Sequence, residues 1–282
     1  MPESRLYTFL DAPGQFALYF LEGQRLIRDL ALATEVCGPA FAYFRDAVLS
    51  VQPMIALIKR GEQLGFYLDS NEPRFRLKIE TGHHGDTRCA LVPADLREFP
   101  ARVWGVARLL KLFVNGRAPY ESILHLDGEP LRDIVNRVLD NSYQVRCAVS
   151  VAETSDQSVM LHELPPIAGR EHWEMSEAVV ERRAREVAAA IGELFDRALS
   201  DPAEIRDSFA GLGFRHLADR PIRLRCSCSR ERMISNIRSI RNVRTEELFD
   251  PGQEYLEVIC EYCRAHYAIS RGDVRAGAAG PH

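Results

Sequence analysis

The chain carries Cys226-Ser227-Cys228 and Cys260-Glu261-Tyr262-Cys263, with 31 residues between the two pairs. Cysteines this close together hold two sulfurs where both reach one ion. Two such pairs supply the four soft ligands of a closed tetrahedral zinc site. The intervening stretch must then fold back on itself to bring the pairs together, which no other feature of the sequence demands so narrowly. A secreted disulfide framework fits poorly: seven cysteines leave an odd total, and 282 residues are enough to build a core without staples. Four unrelated thiols falling into pairs by chance is the bland alternative, and the spacing argues against it.

The formal charge of −4 gives no global attraction to nucleic acid or to an anionic membrane. No apolar run approaches the roughly 18 residues that a membrane span needs. Asp11, Pro13 and Gly14 break the apolar stretch near the N-terminus, and no basic segment precedes it, so it lacks a signal-peptide layout. The reading expects a cytoplasmic protein in a reducing compartment, where paired cysteines serve as metal ligands or redox sensors.

Taken in order, Arg5 to Leu10 and Gln15 to Leu21 read as a hairpin turned by Asp11-Ala12-Pro13-Gly14. Leu26, Ile27, Leu30 and Thr34 recur at helical spacing, and a second helix after Cys37-Gly38-Pro39 carries Phe41, Phe44, Val48 and Leu49. Phe75, Leu77 and Ile79 alternate with Arg76, Lys78 and Glu80 as a strand. Leu131, Ile134, Val135, Val138 and Leu139 mark an amphipathic helix. Val145, Cys147, Val149 and Val151 alternate as a half-buried strand, Val159 to Leu164 form another, and Pro165-Pro166 ends it.

From about Trp173 the pattern turns helical. Residues 174 to 200 set Val180, Ala184, Val187, Ile191, Leu194 and Ala198 on one stripe, with Glu181–Arg185 as an i,i+4 pair. Asp201-Pro202-Ala203-Glu204 caps a shorter helix that Gly211 and Gly213 stop. Beyond it, Ser229 caps a helix through Met233, Ile237 and Ile240. Thr245-Glu246-Glu247 opens one more turn. Leu256, Val258 and Cys260 run into a hairpin that Tyr267 and Ile269 return. The fold class is α+β: an N-terminal mixed α/β-sheet domain (1–172), a helical linker (173–222), a small C-terminal four-cysteine zinc domain (223–272) and a disordered tail (273–282).

The four cysteines carry the chemistry. As thiolates on one zinc per chain they form either an inert staple or, being nucleophilic toward peroxides, a redox switch; chemistry alone leaves both open. His266 could replace one sulfur, and His83-His84 near Cys89 could suggest a second metal, but neighbouring histidines on extended chain face opposite ways. Cys37, Cys89 and Cys147 lie in or beside apolar segments and read as buried small side chains. Arg223 to Arg244 sets seven arginines against Glu231. A zinc-ribbon-like nucleic-acid-binding protein is the alternative this cluster raises, although stacking aromatics are absent from it. No phosphate-binding glycine loop, nucleophile elbow or interpretable carboxylate pair is present, so an enzyme is not expected.

Arg225-Cys226-Ser227-Cys228-Ser229-Arg230-Glu231-Arg232, then Val258-Ile259-Cys260-Glu261-Tyr262-Cys263 and Tyr267, resemble the heat-shock protein 33 family of redox-regulated bacterial holdase chaperones. Ser142-Tyr143-Gln144 stands where that family shows Ser-Glu-Gln, and Leu161 to Pro166 where it shows Gln-x-Leu-Pro, with His162 in place of Gln. The family's Arg-Gly-Tyr segment has no clean counterpart, Trp104-Gly105 being the nearest. The resemblance implies Zn2+ on Cys226, Cys228, Cys260 and Cys263. It also implies Cys226–Cys228 and Cys260–Cys263 disulfides on oxidation, zinc release, linker unfolding and capture of unfolded or misfolding client proteins. It leaves open a homodimer in the oxidised form, a purely structural zinc, and the roles of Cys37, Cys89 and Cys147. No nucleic acid and no membrane is an expected partner.

Overall fold

The computed structural model describes the chain outside residues 12–15, 98–99, 114–116, 144–145, 165–176, 241–244 and 276–282, and gives the backbone alone at 143, 177–181, 183–184 and 245–246. It divides into two compact units, Met1–Leu224 and Arg225–His282. The architecture is α+β.

In the first unit, β1 (Arg5–Asp11) and β2 (Phe16–Glu22) pair antiparallel, and apolar residues fill both of their faces. A hairpin apolar on both sides must be covered on both sides. Next, α1 (Gln24–Thr34) buries Leu26, Ile27, Leu30 and Thr34, the four positions its spacing selects. Then α2 (Pro39–Val51) places proline in its first turn, where the missing N–H costs nothing, and buries a stripe of Ala40, Tyr43, Phe44, Ala47, Val48 and Val51. Phe41 was expected on that face. It sits at the rim of the stripe instead, 36% exposed, because Ala40 and Phe44 already occupy the inward turn.

Strands β3 (Glu62–Ser70), β4 (Phe75–Gly82), β5 (Asp86–Val92), β6 (Val103–Phe113) and β7 (Tyr120–Glu129) follow, forming most of one sheet. Helix α3 (Leu131–Val138) leads through a turn of π-helix to β8 (Cys147–Val151) and β9 (Gln157–Glu163). These two strands extend the β1–β2 hairpin into a second sheet. One core joins the inner faces of both sheets with α1, α2 and α3, including Leu21, Phe44, Phe66, Ile79, Leu109 and Met160.

The far face of the second sheet is covered by the segment read as a linker. Helix α4 (Glu177–Arg197) buries Val187, Ile191 and Leu194; Ala198, expected on the same stripe, is exposed, and Leu199 is buried in its stead. The side chains of Val180, Glu181 and Ala184 lie outside the described residues. Helix α5 (Pro202–Gly211) is capped as its sequence predicts, with the Asp201 carboxylate accepting from the N–H groups of Ala203 and Glu204 at 2.9 Å. Its Phe209 ring stands 4.5 Å from Phe9 and 5.2 Å from Phe20, in a core with Tyr7, Leu18 and Val159.

The segment is not helical throughout: β10 (Phe214–Pro221) pairs antiparallel with β1 and becomes a sheet edge. Its arginines and histidine conceal the strand pattern, as charged side chains do on edges that must not pair further. Finally β11 (Arg223–Leu224) lies parallel to β5. Gly85 (φ +85) permits that approach, since a Cβ there would stand 2.1 Å from the Pro221 carbonyl oxygen.

The second unit contains α6 (Arg230–Arg238), a 3-10 turn at Thr245–Leu248, β12 (Tyr255–Ile259), β13 (His266–Ser270) and α7 (Arg271–Arg275). Ile234, Ile237, Phe249, Ile269 and Val274 form its small core. Ile240, read as part of the helix face, falls beyond the end of α6 and is exposed. Residues 273 to 275, expected in the tail, belong to α7, and the rest of that tail lies outside the described residues. Val274 is buried, and the Asp273 carboxylate accepts from the Ser270 N–H at 2.8 Å while pairing with Arg230.

Phe209→Ala should cost the first unit about 3–5 kcal/mol in urea unfolding, as for a large ring removed from a filled core. A loss below about 1 kcal/mol would mean that α5 is not packed there. Glu22 lies on the same sheet face and is 3% exposed, with one carboxylate oxygen holding the Gln24 N–H and the other without a partner in the structure. Burial pushes its carboxyl up from 4.5 to about 7, against the lowering effect of the Gln24 bond. The folded value exceeds the unfolded one, so the neutral form favours folding and stability falls as pH rises from about 4.5 through 7. Glu22→Gln should therefore stabilise the protein at pH 8 and change little at pH 4, read from paired urea titrations.

Candidate metal centre

The first pair of sulfurs stands on extended chain. Residues two apart on such chain face the same way, so Cys226 and Cys228 point together while Ser227 turns out. Ser229 then caps α6 by accepting the Arg232 N–H at 3.2 Å, and the Arg232 guanidinium donates back to the Ser227 hydroxyl at 2.7 Å. The Cys-x-Cys spacer is thereby tied to the first turn of α6. The second pair sits on the turn between β12 and β13. Cys260 donates its N–H to the Ala265 carbonyl and accepts from the Arg264 N–H, both at 2.9 Å, with Arg264 in the left-handed region at φ 59.

These elements bring all four Sγ atoms within 4.8 Å of one another. Cys226 and Cys260 stand 3.8 Å apart, and Cys228 and Cys263 3.3 Å apart. Sulfurs at about 2.3 Å from a tetrahedral zinc lie about 3.8 Å from one another. The separations fit that donor set and are too long for a disulfide of about 2.05 Å. All seven cysteines are free thiols. Cys260 is buried and the other three are half-buried, as a closed site requires.

The short cross-pair contacts unite the two pairs rather than the members of each. Burial pushes the Cys228 thiol up, but hydrogen bonds from Tyr267, Cys263, Cys226 and Cys260 outweigh it and bring it down to about 7. The Cys263 thiol moves the opposite way, by burial first and then through its bond to Cys228. Tyr267 donates its hydroxyl to the Cys228 sulfur at 3.0 Å, a bond that holds the phenol's own proton and pushes it up to about 12. Sequence reasoning gave Tyr267 no role at the site. The alternation of β13 shows that it faces inward with Ile269, but not which sulfur it meets.

Other candidates are placed elsewhere. The His266 ring turns outward to Glu257 at 2.6 Å and is not among the clustered ligands. His83 and His84 occupy the turn between β4 and β5, whereas Cys89 is fully buried among the strands, its thiol raised well above the ordinary range by burial. Among the described residues, the four cysteines are the only such side chains grouped closely enough to share an ion. Cys147 is half-buried, with burial and then Asp140 raising its thiol to about 12. Cys37, expected to be buried, is exposed on the connection between α1 and α2.

The arginine cluster is largely engaged within the fold. Arg223 pairs with Asp86, Arg230 with Asp273, and Arg238 holds the Val274 and Asp273 carbonyls. Arg241 and Arg244 lie outside the described residues. No described helix is long and apolar enough to cross a membrane.

Comparison with known proteins agrees with this geometry. A family model described as Hsp33 protein matches residues 4–270. A 33 kDa chaperonin of Nitrosococcus oceani is 26% identical, the alignment covering 78% of this chain and 75% of that protein. One from Pelobacter propionicus is 24% identical over 89% of this chain and 88% of its own length. The crystal structure of the 33 kDa chaperonin (heat shock protein 33 homolog) of Thermotoga maritima superposes with a TM-score of 0.77 at 14% identity, covering 98% of this chain and 97% of the other. With a family match running over nearly its whole length, and with four sulfurs gathered at the end of that match, the chain belongs to the Hsp33 family of non-enzymatic chaperones.

Proposed function

We propose that this chaperone is a cytoplasmic holdase switched on by oxidation, with Cys226, Cys228, Cys260 and Cys263 holding one zinc per chain in the reduced form. The observation that carries the reading is the convergence of four thiols in a unit whose own apolar core is small. Zinc, when bound, supplies the charge that keeps all four sulfurs as thiolates and the tie that closes the loop between the pairs.

Peroxide converts one thiolate of a pair to sulfenic acid, and its neighbour attacks to form Cys226–Cys228 or Cys260–Cys263. Each disulfide closes only a tiny loop and joins neither pair to the other, so it cannot replace the tie across the 31 residues between them. The second unit then unfolds from about residue 223, and the end of the chain it anchored frays back through β11 and β10. Helices α4 and α5, the proposed linker between residues 173 and 222, lose their hold. The aromatic face of Tyr7, Phe9 and Phe20 that they cover becomes available to unfolded chains. The proposed client-binding domain is the sheet-rich part, 1–172.

The experiment is zinc content and suppression of client aggregation measured on one sample before and after peroxide. Reduced protein should carry one zinc per chain and suppress little. Oxidised protein should lose the metal and suppress strongly, and reductant with zinc should reverse both. Retained zinc with no gain of activity would make the metal a staple. Cys260→Ser/Cys263→Ser should fail to hold stoichiometric zinc even when prepared without air; full occupancy there would refute the ligand assignment. The nucleic-acid reading requires a salt-sensitive complex lost on charge reversal of Arg238, Arg241 and Arg244, and no such complex is expected at physiological salt.

A further inference from the structure

Tyr267 meets a sulfur of the cluster, that of Cys228, across 39 residues of sequence. Its ring packs against the small core of the second unit. Its strand position is fixed opposite Val258 by the β12–β13 register. The hydroxyl therefore comes from the hairpin that carries Cys260 and Cys263 and reaches the sulfur of the other pair, Cys228, at 3.0 Å.

We infer that Tyr267 is a positioning residue that sets the oxidation threshold of the cluster by hydrogen-bonding the Cys228 sulfur. The inference rests on the proposed zinc-thiolate reading and names a regulator of it. The lone pair that accepts the O–H bond belongs to the same sulfur that must attack an oxidant, so the bond withdraws electron density from it. In the step concerned, the Cys228 thiolate attacks hydrogen peroxide: an S–O bond forms, the O–O bond breaks and hydroxide leaves. The Cys226 thiolate then attacks the sulfenic sulfur, an S–S bond forms, the S–O bond breaks and a second hydroxide leaves. The pair gives up two electrons, and with two protons one peroxide becomes two waters. While Tyr267 donates to Cys228, the first of these attacks is slowed. The same bond ties the two halves of the site together and supports metal binding, as outer hydrogen bonds to ligands generally do.

Tyr267→Phe keeps the ring and removes only the donor. On zinc-loaded full-length protein, peroxide-driven zinc release followed with a metallochromic indicator should run roughly 5–10-fold faster than in the parent, and competition with a chelator should show zinc held about 10-fold more weakly. Ile269→Val loosens the packing of the same strand without touching a sulfur, and should leave the peroxide rate within about twofold of the parent. Parent-like rate and affinity in Tyr267→Phe would overturn the inference while leaving the proposed function intact. An equal acceleration in Ile269→Val would overturn it too, by showing that packing alone is responsible. A parent protein that keeps its zinc through peroxide would defeat both readings at once.

Discussion

Four sulfurs that must meet at one point are the constraint on which the second unit depends. Among the described residues its core cluster holds five buried apolar side chains with five partly buried ones against them, too few to offset the ordering of about fifty residues by burial alone. Everything local serves the convergence. Ser229 and Arg232 fix the Cys-x-Cys arm to α6, and the Cys260–Ala265 and Arg264–Cys260 backbone bonds fix the Cys-x-x-Cys turn. Tyr267 bridges the two. On the proposed zinc reading, a domain held mainly at this point has little to fall back on once the sulfurs are oxidised.

The first unit has the complementary property. The β1–β2 hairpin is apolar on both faces, so its sheet needs two covers. One is the main core with α1, α2 and α3; the other is α4 and α5 with the aromatic cluster around Phe209. The second cover is inserted between β9 and β10, and β10 is an edge strand with one neighbour. The aromatic cluster thus lies under the segment that precedes the cysteine-bearing unit in the chain. The two clusters are separate, so on the proposed reading the main core persists when the outer cover lifts.

How much of this the sequence discloses follows from how local each signal is. Cysteine spacing, the Asp201 and Ser229 caps and the buried face of α1 are set within a few residues, and the structure keeps them as read. The sheet-rich middle is largely silent. In β6 the run from Val103 to Phe113 holds an apolar pair, Leu109-Leu110, and a glycine, which blur the two-residue period. β10 is hidden more deeply, because its polar residues make sense only once it is known to edge a sheet with β1, some two hundred residues earlier. The α2 face is not legible at Phe41, because a helix stripe has rims and aromatic character does not decide which side of a rim a residue takes. Tyr267 shows the same limit at the site: its inward parity is legible, its partner sulfur is not.

Hydrogen exchange on reduced, zinc-loaded protein and on fully oxidised, zinc-free protein tests the central claim most directly, because it reports on the two covers of the sheet separately. The account predicts that protection is lost beyond residue 225 and across α4 and α5, residues 177 to 211, while β3 to β7 remain protected. Full protection of α4 and α5 in the oxidised, metal-free protein would contradict it and leave the four cysteines as a structural clasp.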